Sequence, residues 1–238
     1  MKTFNEIIQR LRNLNKLGFI KTRRGGPTGI GKTLEDLLAI KENNVPGPDI
    51  GQTIELKSAR KNANSMITLF TKSPLPSKSN IYLLKKFGYA TGESKGKKIL
   101  HTTINGVNFN KLRGNLGFKA IYRAKRIILT TTPPDSFEVY WTEEILKQSI
   151  EKKYPEGLVY VKADSKGSGK NEEFHFNEAY LLRQFDFDNF IRLLKKGKIL
   201  IDIRIGQYPD GKTHDHGTGF RVFPRDLDSC FSRKKFLL

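Results

Sequence analysis

The sequence predicts an α/β fold in which a mixed sheet is flanked by helices, within one domain over residues 1–238. Three observations point there. Apolar residues recur at helical spacing near the N-terminus, after residue 33, at 142–152 and at 188–196, with short strand-like runs between them. No internal repeat or long linker divides the chain. A hydrophobic share of 37% with 11% aromatics is enough to bury a core in 238 residues.

The elements follow in order. Residues 3–17 place Phe4, Ile7, Ile8, Leu11, Leu14 and Leu17 at helical spacing, with Thr3 and Glu6 as a capping box. A second helix is predicted from residue 33 to about 42, capped by Thr33 and Asp36, with Leu34, Leu37 and Leu38 facing inward. "NNVPGPD" then breaks the chain. "IGQTIELKS" alternates Ile54 and Leu56 with Glu55 and Lys57, a strand pattern, and "SMITLFT" reads as a second strand. A helix over 80–87 precedes four short strands, "KILHTTI", "FKAIYR", "RIILTTT" and "FEVYW". A helix over 142–152, the strand "GLVYVKA", the polar loop "DSKGSGKNEE" and a helix over 188–196 that stops at Gly197 come next. "KILIDIRI" and "GFRVF" read as strands joined by the turn "GQYPDGKTHDHGT".

Charge is the strongest bulk signal. Lys plus Arg is 43 against 24 for Asp plus Glu, a formal net charge of +19. Such an excess, spread along the chain, favours a polyanionic partner, of which nucleic acid is the commonest. No run of about 18 apolar residues exists, so no membrane span is expected. The amphipathic N-terminus lacks the continuous apolar core of a signal peptide. The single cysteine, Cys230, cannot form an internal disulfide, which fits a reducing cytoplasm.

Residues 26–33, "GPTGIGKT", spell the G-x-x-x-x-G-K-T letters of a phosphate-binding loop. That loop needs a buried strand before it and a helix after it. The helix is predicted, but "LNKLGFIKTRRGG" is too short in apolar residues and too charged for a central parallel strand. The run Ile199 to Asp202 resembles the second nucleotide-binding motif, yet apolar strands ending in Asp are common. No ATP is therefore expected.

The residues that follow suggest a different chemistry. In "PDIGQTIELKSAR", Glu55 and Lys57 share one strand face, and a bend after Pro48 can bring Asp49 beside Glu55. Two close carboxylates repel, and a divalent cation relieves that repulsion; Mg²⁺ suits one or two carboxylates with phosphate oxygens. The cation makes water easier to deprotonate and neutralises charge on a phosphate, while a nearby lysine adds electrostatic stabilisation. On spacing alone, Glu55 and Lys57 also fit an exposed strand with a salt bridge, and Asp49 a turn residue. A second E-x-K, Glu93 to Lys95, lies in a region without strand character.

The pattern "PD…ELK" resembles the motif of the PD-(D/E)xK nucleases, and "TGIGKTLEDLL…PDIGQTIELKSAR…MITLFTKSP" is similar to their MutH-like branch. With "KILHTT", "IDIRIG" and "KTHDHGTGFR", the whole resembles the type II restriction endonucleases of the MvaI/BcnI family, on the MvaI side, from Gly25 to Arg221. The resemblance implies a nuclease core with two lobes around a DNA cleft and a catalytic part centred on 25–75. It also implies catalytic roles for Asp49, Glu55 and Lys57, a supporting role for Glu35, and Mg²⁺ on Asp49 and Glu55. A DNA-recognition part centred on 198–223 would carry Asp202, Arg204, His214, Asp215, His216 and Arg221. Arginine can pair bidentately with guanine, and a carboxylate can accept from cytosine. The "HDH" residues also fit an exposed polar turn, or a metal site on His214 and His216 with no further ligand evident. The resemblance favours base reading at CCWGG-like sites in double-stranded DNA, by a monomer with one active site. A MutH-like repair nicking enzyme and a non-catalytic basic nucleic-acid-binding protein are the alternatives.

Overall fold

The computed structural model describes residues 3–40, 47–92, 94, 96–215 and 217–238. Glu93 and Lys95 of the second E-x-K, and His216, lie outside the described residues; the helix expected to reach about 42 ends instead at Leu38, where Ala39 turns left-handed at φ 51°. In chain order the elements are α1 (Phe4–Leu17), β1 (Ile20–Lys21), α2 (Gly29–Leu38), β2 (Ile54–Arg60), β3 (Ile67–Thr71), α3 (Ser79–Phe87), β4 (Leu100–Ile104), β5 (Gly117–Arg123), β6 (Arg126–Thr132), β7 (Val139–Thr142), α4 (Glu143–Lys153), β8 (Gly157–Lys166), β9 (Glu173–Phe185), α5 (Phe187–Lys195), β10 (Ile199–Gln207), β11 (Thr213–Asp215), β12 (Gly219–Val222) and β13 (Phe231–Phe236). They fall into two compact units, one of Met1–Ser65, Ile150–Asp186 and Asp228–Leu238, the other of Met66–Ser149 and Phe187–Leu227.

In the first unit β2 runs parallel to β8, β8 antiparallel to β9, and β1 and β13 pair with different parts of β9. Helices α1 and α2 pack on this sheet. Their Ile7, Leu11, Ile30, Leu34 and Leu38 meet Ile54, Leu56, Val159, Val161, Phe174 and Phe176 in one core. The capping box at the start of α1 is formed: Thr3 N–H donates to Glu6 Oε2 at 2.7 Å and Glu6 N–H to Thr3 Oγ1 at 3.4 Å. Leu17 is 68% exposed, so the apolar stripe ends before it.

Two expectations are corrected. Helix α2 starts at Gly29, so Thr33 is no cap but a buried residue one turn inside, accepting a hydrogen bond from Arg23 N–H at 2.8 Å. The longest strand, β9, was not predicted. It puts Phe174 and Phe176 into the core and then, past a bulge opposite Lys162 and Ala163, Ala179 and Leu181. The change from even to odd positions breaks the period-2 signal.

The stretch with phosphate-loop letters has another role. The strand before it, β1, is two residues long and antiparallel to β9. The turn is held by Arg60, which donates to the carbonyls of Gly26 at 3.2 Å and Pro27 at 3.3 Å and to both Glu172 oxygens at 2.5 and 2.6 Å.

In the second unit β10 is the central strand. Its residues 201–205 pair with β4; along the other edge 199–202 pair with β12 and 205–207 with β11. β3 lies beyond β12, and β5, β6 and β7 form a separate antiparallel sheet. The expected turn between β10 and β12 thus contains a strand, β11. Ile201, Ile203 and Ile205 are fully buried, and alternation turns Asp202 and Arg204 to the opposite face.

The glycines of the 26–33 stretch answer to packing. A Cβ on Gly29 would sit 2.2 Å from the Arg24 carbonyl oxygen, whereas one on Gly31 would have Ser58 Oγ as its nearest neighbour at 3.9 Å. Gly29→Ala should therefore destabilise by ~1–3 kcal/mol. Gly31→Ala, inside a helix with open space around it, should stabilise by ~0.5–1 kcal/mol. Urea unfolding midpoints check this; a reversed order of the two variants would refute the packing account.

Candidate active site

The site is built by one bend, one strand and one helix end. Asp49 lies in the bend before β2, where Gly51 and Gln52 take φ of 58° and 61° and Ile50 bridges back to Ile54. The bend returns the Asp49 side chain to the strand, and its Oδ2 accepts the Leu56 N–H at 2.8 Å. Along β2, Ile54 and Leu56 enter the core, so alternation places Glu55 and Lys57 together on the other face, as the sequence pattern predicts. Glu55 is 3% exposed.

A second lysine, which sequence reasoning missed, completes the site. Glu55 Oε1 accepts from Lys57 Nζ at 3.1 Å and from Lys153 Nζ at 2.8 Å. Lys153 ends α4, and the next residue, Tyr154, is buried against Phe185 and Phe231. Glu156 N–H donates to the Thr53 carbonyl at 3.0 Å, tying this segment to the bend before β2. In sequence, Lys153 is one of two lysines in a helix's last turn, where the helix dipole alone explains a cation. Only the fold shows that it reaches Glu55.

The electrostatics of Glu55 are opposed. Burial raises its pKa, Lys57 lowers it, the Asp49 carboxylate raises it and Lys153 lowers it; the net shift is upward. Its other oxygen, Oε2, is buried and has no hydrogen-bond partner. A buried carboxylate with an unsatisfied oxygen beside a second carboxylate fits a hard divalent cation. Among the described residues no group of three or more His, Cys, Asp and Glu could hold a metal, so this is a two-carboxylate arrangement. Glu35 is half-buried on α2, the helix that packs on β2, and is not among the groups that act most strongly on Glu55.

The residues expected to read bases lie in the other unit. Asp202 is 3% exposed and fully engaged: Thr103 Oγ1 donates at 3.0 Å, Arg204 Nε at 2.7 Å and Arg221 Nη2 at 2.9 Å. Gly219 lies directly opposite Asp202, and a Cβ there would be 3.2 Å from Arg221 Nε. Asp215 serves the hairpin, accepting from Ser73 Oγ at 2.8 Å, Asn80 Nδ2 at 2.5 Å and Gly217 N–H at 2.7 Å. His214 packs against Tyr208, with ring centroids 4.4 Å apart. The structure therefore brings Asp202, Arg204 and Arg221 together, while Asp215 braces the turn.

Comparison with known proteins gives the class and then the family. The chain is similar over its full length, and over the full length of each neighbour, to two solved structures of the restriction endonuclease MvaI. One is its complex with cognate DNA substrate, at a TM-score of 0.83 and 32% identity; the other is MvaI in the absence of DNA, at 0.65 and 31%. No curated protein sequence matches the chain. The sequence model of the MvaI/BcnI restriction endonucleases matches residues 8–231. The protein is thus a type II restriction endonuclease, a site-specific deoxyribonuclease. It belongs to the MvaI/BcnI restriction endonuclease family. Restriction endonucleases generally use divalent metal ions.

The raised pKa of Glu55 has a consequence for stability. The folded state favours its neutral form, so the stability conferred is complete below the ordinary carboxylate range and is lost as pH rises through the raised value. Glu55→Gln removes the ionisation. It should raise the melting temperature at pH 7.5 in a chelator and change it little near pH 4. A lower melting temperature for the variant at pH 7.5 would mean that the two lysines outweigh burial.

Proposed function

We propose that this endonuclease is Mg²⁺-dependent, cuts CCWGG-like double-stranded DNA as a monomer, and uses Asp49, Glu55 and Lys57 for hydrolysis. The observation that carries the proposal is the buried, unpartnered Oε2 of Glu55 with Asp49 close by. Asp49 and Glu55 would hold the Mg²⁺. Bound there, it would supply Lewis-acid neutralisation of the phosphate and make water more acidic. Lys57, on the same strand face, is placed to orient the attacking water and to stabilise charge developing on the phosphate. Asp49 is fixed in place by the Leu56 amide. Glu35 takes a supporting role on the neighbouring helix.

Recognition is assigned to Arg204 and Arg221. Each spends one nitrogen on Asp202, which orients the guanidinium; Arg204 is 49% exposed in its side chain and keeps two Nη groups for guanine O6 and N7. Asp202 thus acts by holding both arginines. His214, in the same segment, is assigned to the same surface. The +19 charge supports a duplex partner, and the likeness to MvaI supports G·C pairs around a central A·T. One active site per chain implies that the two strands are nicked in turn. No part is assigned to ATP, because the strand before the glycine turn is two residues long and antiparallel rather than a central parallel strand. The buried, reduced Cys230 suits the cytoplasm.

Two tests follow. Lys57→Ala, Glu55→Ala or Asp49→Ala should slow cleavage of a CCWGG duplex by ~10²-fold or more, with specific binding kept in the lysine variant. Full activity in Asp49→Ala would sink the assignment. For recognition, binding curves in Ca²⁺ at one salt concentration compare a CCWGG duplex with a scrambled one. Arg204→Ala or Arg221→Ala should cost ~1–3 kcal/mol on the CCWGG duplex and far less on the scrambled one. Equal losses on both would make these arginines backbone contacts.

A further inference from the structure

Glu55 carries more positive charge than its orientation requires. Both Lys57 and Lys153 donate to the same oxygen, Oε1, and Lys153 is the closer at 2.8 Å against 3.1 Å. Either ammonium alone would hold that oxygen and leave Oε2 free. Lys153 is also no loose surface partner. The buried ring of Tyr154 and the bond from Glu156 to Thr53 fix the chain on its C-terminal side. What the second lysine adds is charge.

We propose that Lys153 is a counter-charge that weakens divalent-cation binding in the DNA-free enzyme, leaving the phosphodiester to supply the negative charge that completes the site. The inference rests on the reading that Asp49 and Glu55 hold the cation. An ammonium within hydrogen-bond distance of a ligating carboxylate lies a few ångströms from any cation on that carboxylate. Repulsion there is strong, because Glu55 is buried and little solvent intervenes. The cost falls when a phosphate oxygen arrives, since its charge attracts both cations. The site would then load chiefly on DNA, and Lys153 is a positioning residue acting through Glu55 and the local field.

Calorimetry of Ca²⁺ binding to the full-length protein tests this, with Ca²⁺ standing in for Mg²⁺ so that added DNA stays intact. Lys153→Met and Lys153→Gln remove the charge; Lys153→Arg keeps it; Asp49→Asn tests the site itself. Without DNA, the Met and Gln variants should bind Ca²⁺ ~10-fold or more tightly than wild type, and the Arg variant about equally. With saturating CCWGG duplex the difference should shrink to about threefold or less. Melting curves confirm that each variant is folded, and the Met and Gln variants back each other up. Unchanged or weaker binding in both, with binding lost in Asp49→Asn, would overturn the role of Lys153 and leave the two-carboxylate site standing. Ca²⁺ binding that survives Asp49→Asn would overturn both.

Discussion

Burying a carboxylate costs several kcal/mol unless opposite charge is buried with it. Glu55, buried on β2, meets that constraint, and the surrounding chain is arranged to satisfy it. The bend from 47 to 53 brings Asp49 back to the Leu56 amide, strand alternation supplies Lys57, and the end of α4 supplies Lys153. The balance stays incomplete, since burial still raises the Glu55 pKa and Oε2 has no partner. A site kept short of satisfaction in this way sacrifices stability for affinity toward what completes it.

The second unit uses the same device and closes it. Asp202 is also a buried carboxylate on a strand, with a cation two residues on, Arg204, and another from a separate element, Arg221. Here Thr103 takes the second oxygen, so the carboxylate is satisfied, and Arg204 is the more exposed of the two cations. The contrast separates two uses of one motif. A lysine pair on one oxygen leaves the other open to a metal. An arginine pair braced on a closed carboxylate would, in the proposed recognition role, offer planar donors to bases.

Much of this was legible in the sequence. Strand alternation at 54–57 and the Pro48–Asp49 break announce the grouping of Asp49, Glu55 and Lys57, because both depend on local geometry. The helical elements announce themselves through apolar spacing, and α1 through its capping box. What stayed hidden depends on contacts distant in sequence or on a broken period. Lys153 is 98 positions from Glu55 and looks like any lysine at a helix end. Thr103 is 99 positions from Asp202. Strand β9 changes phase at its bulge, and the first turn of α2 is hidden in sequence because Gly29 and Gly31 are poor helix formers. The phosphate-loop letters could be set aside from sequence because their context fails: the strand before them is two residues long and antiparallel, and the turn's carbonyls accept from Arg60.

The most direct measurement is the sequence of the ends produced when purified protein acts on plasmid DNA in Mg²⁺. The account predicts that both strands are cut at a single class of site containing CCWGG, that a chelator stops the reaction, and that ATP changes nothing. Ends scattered over many sequences, or cutting that persists in the chelator, would contradict it.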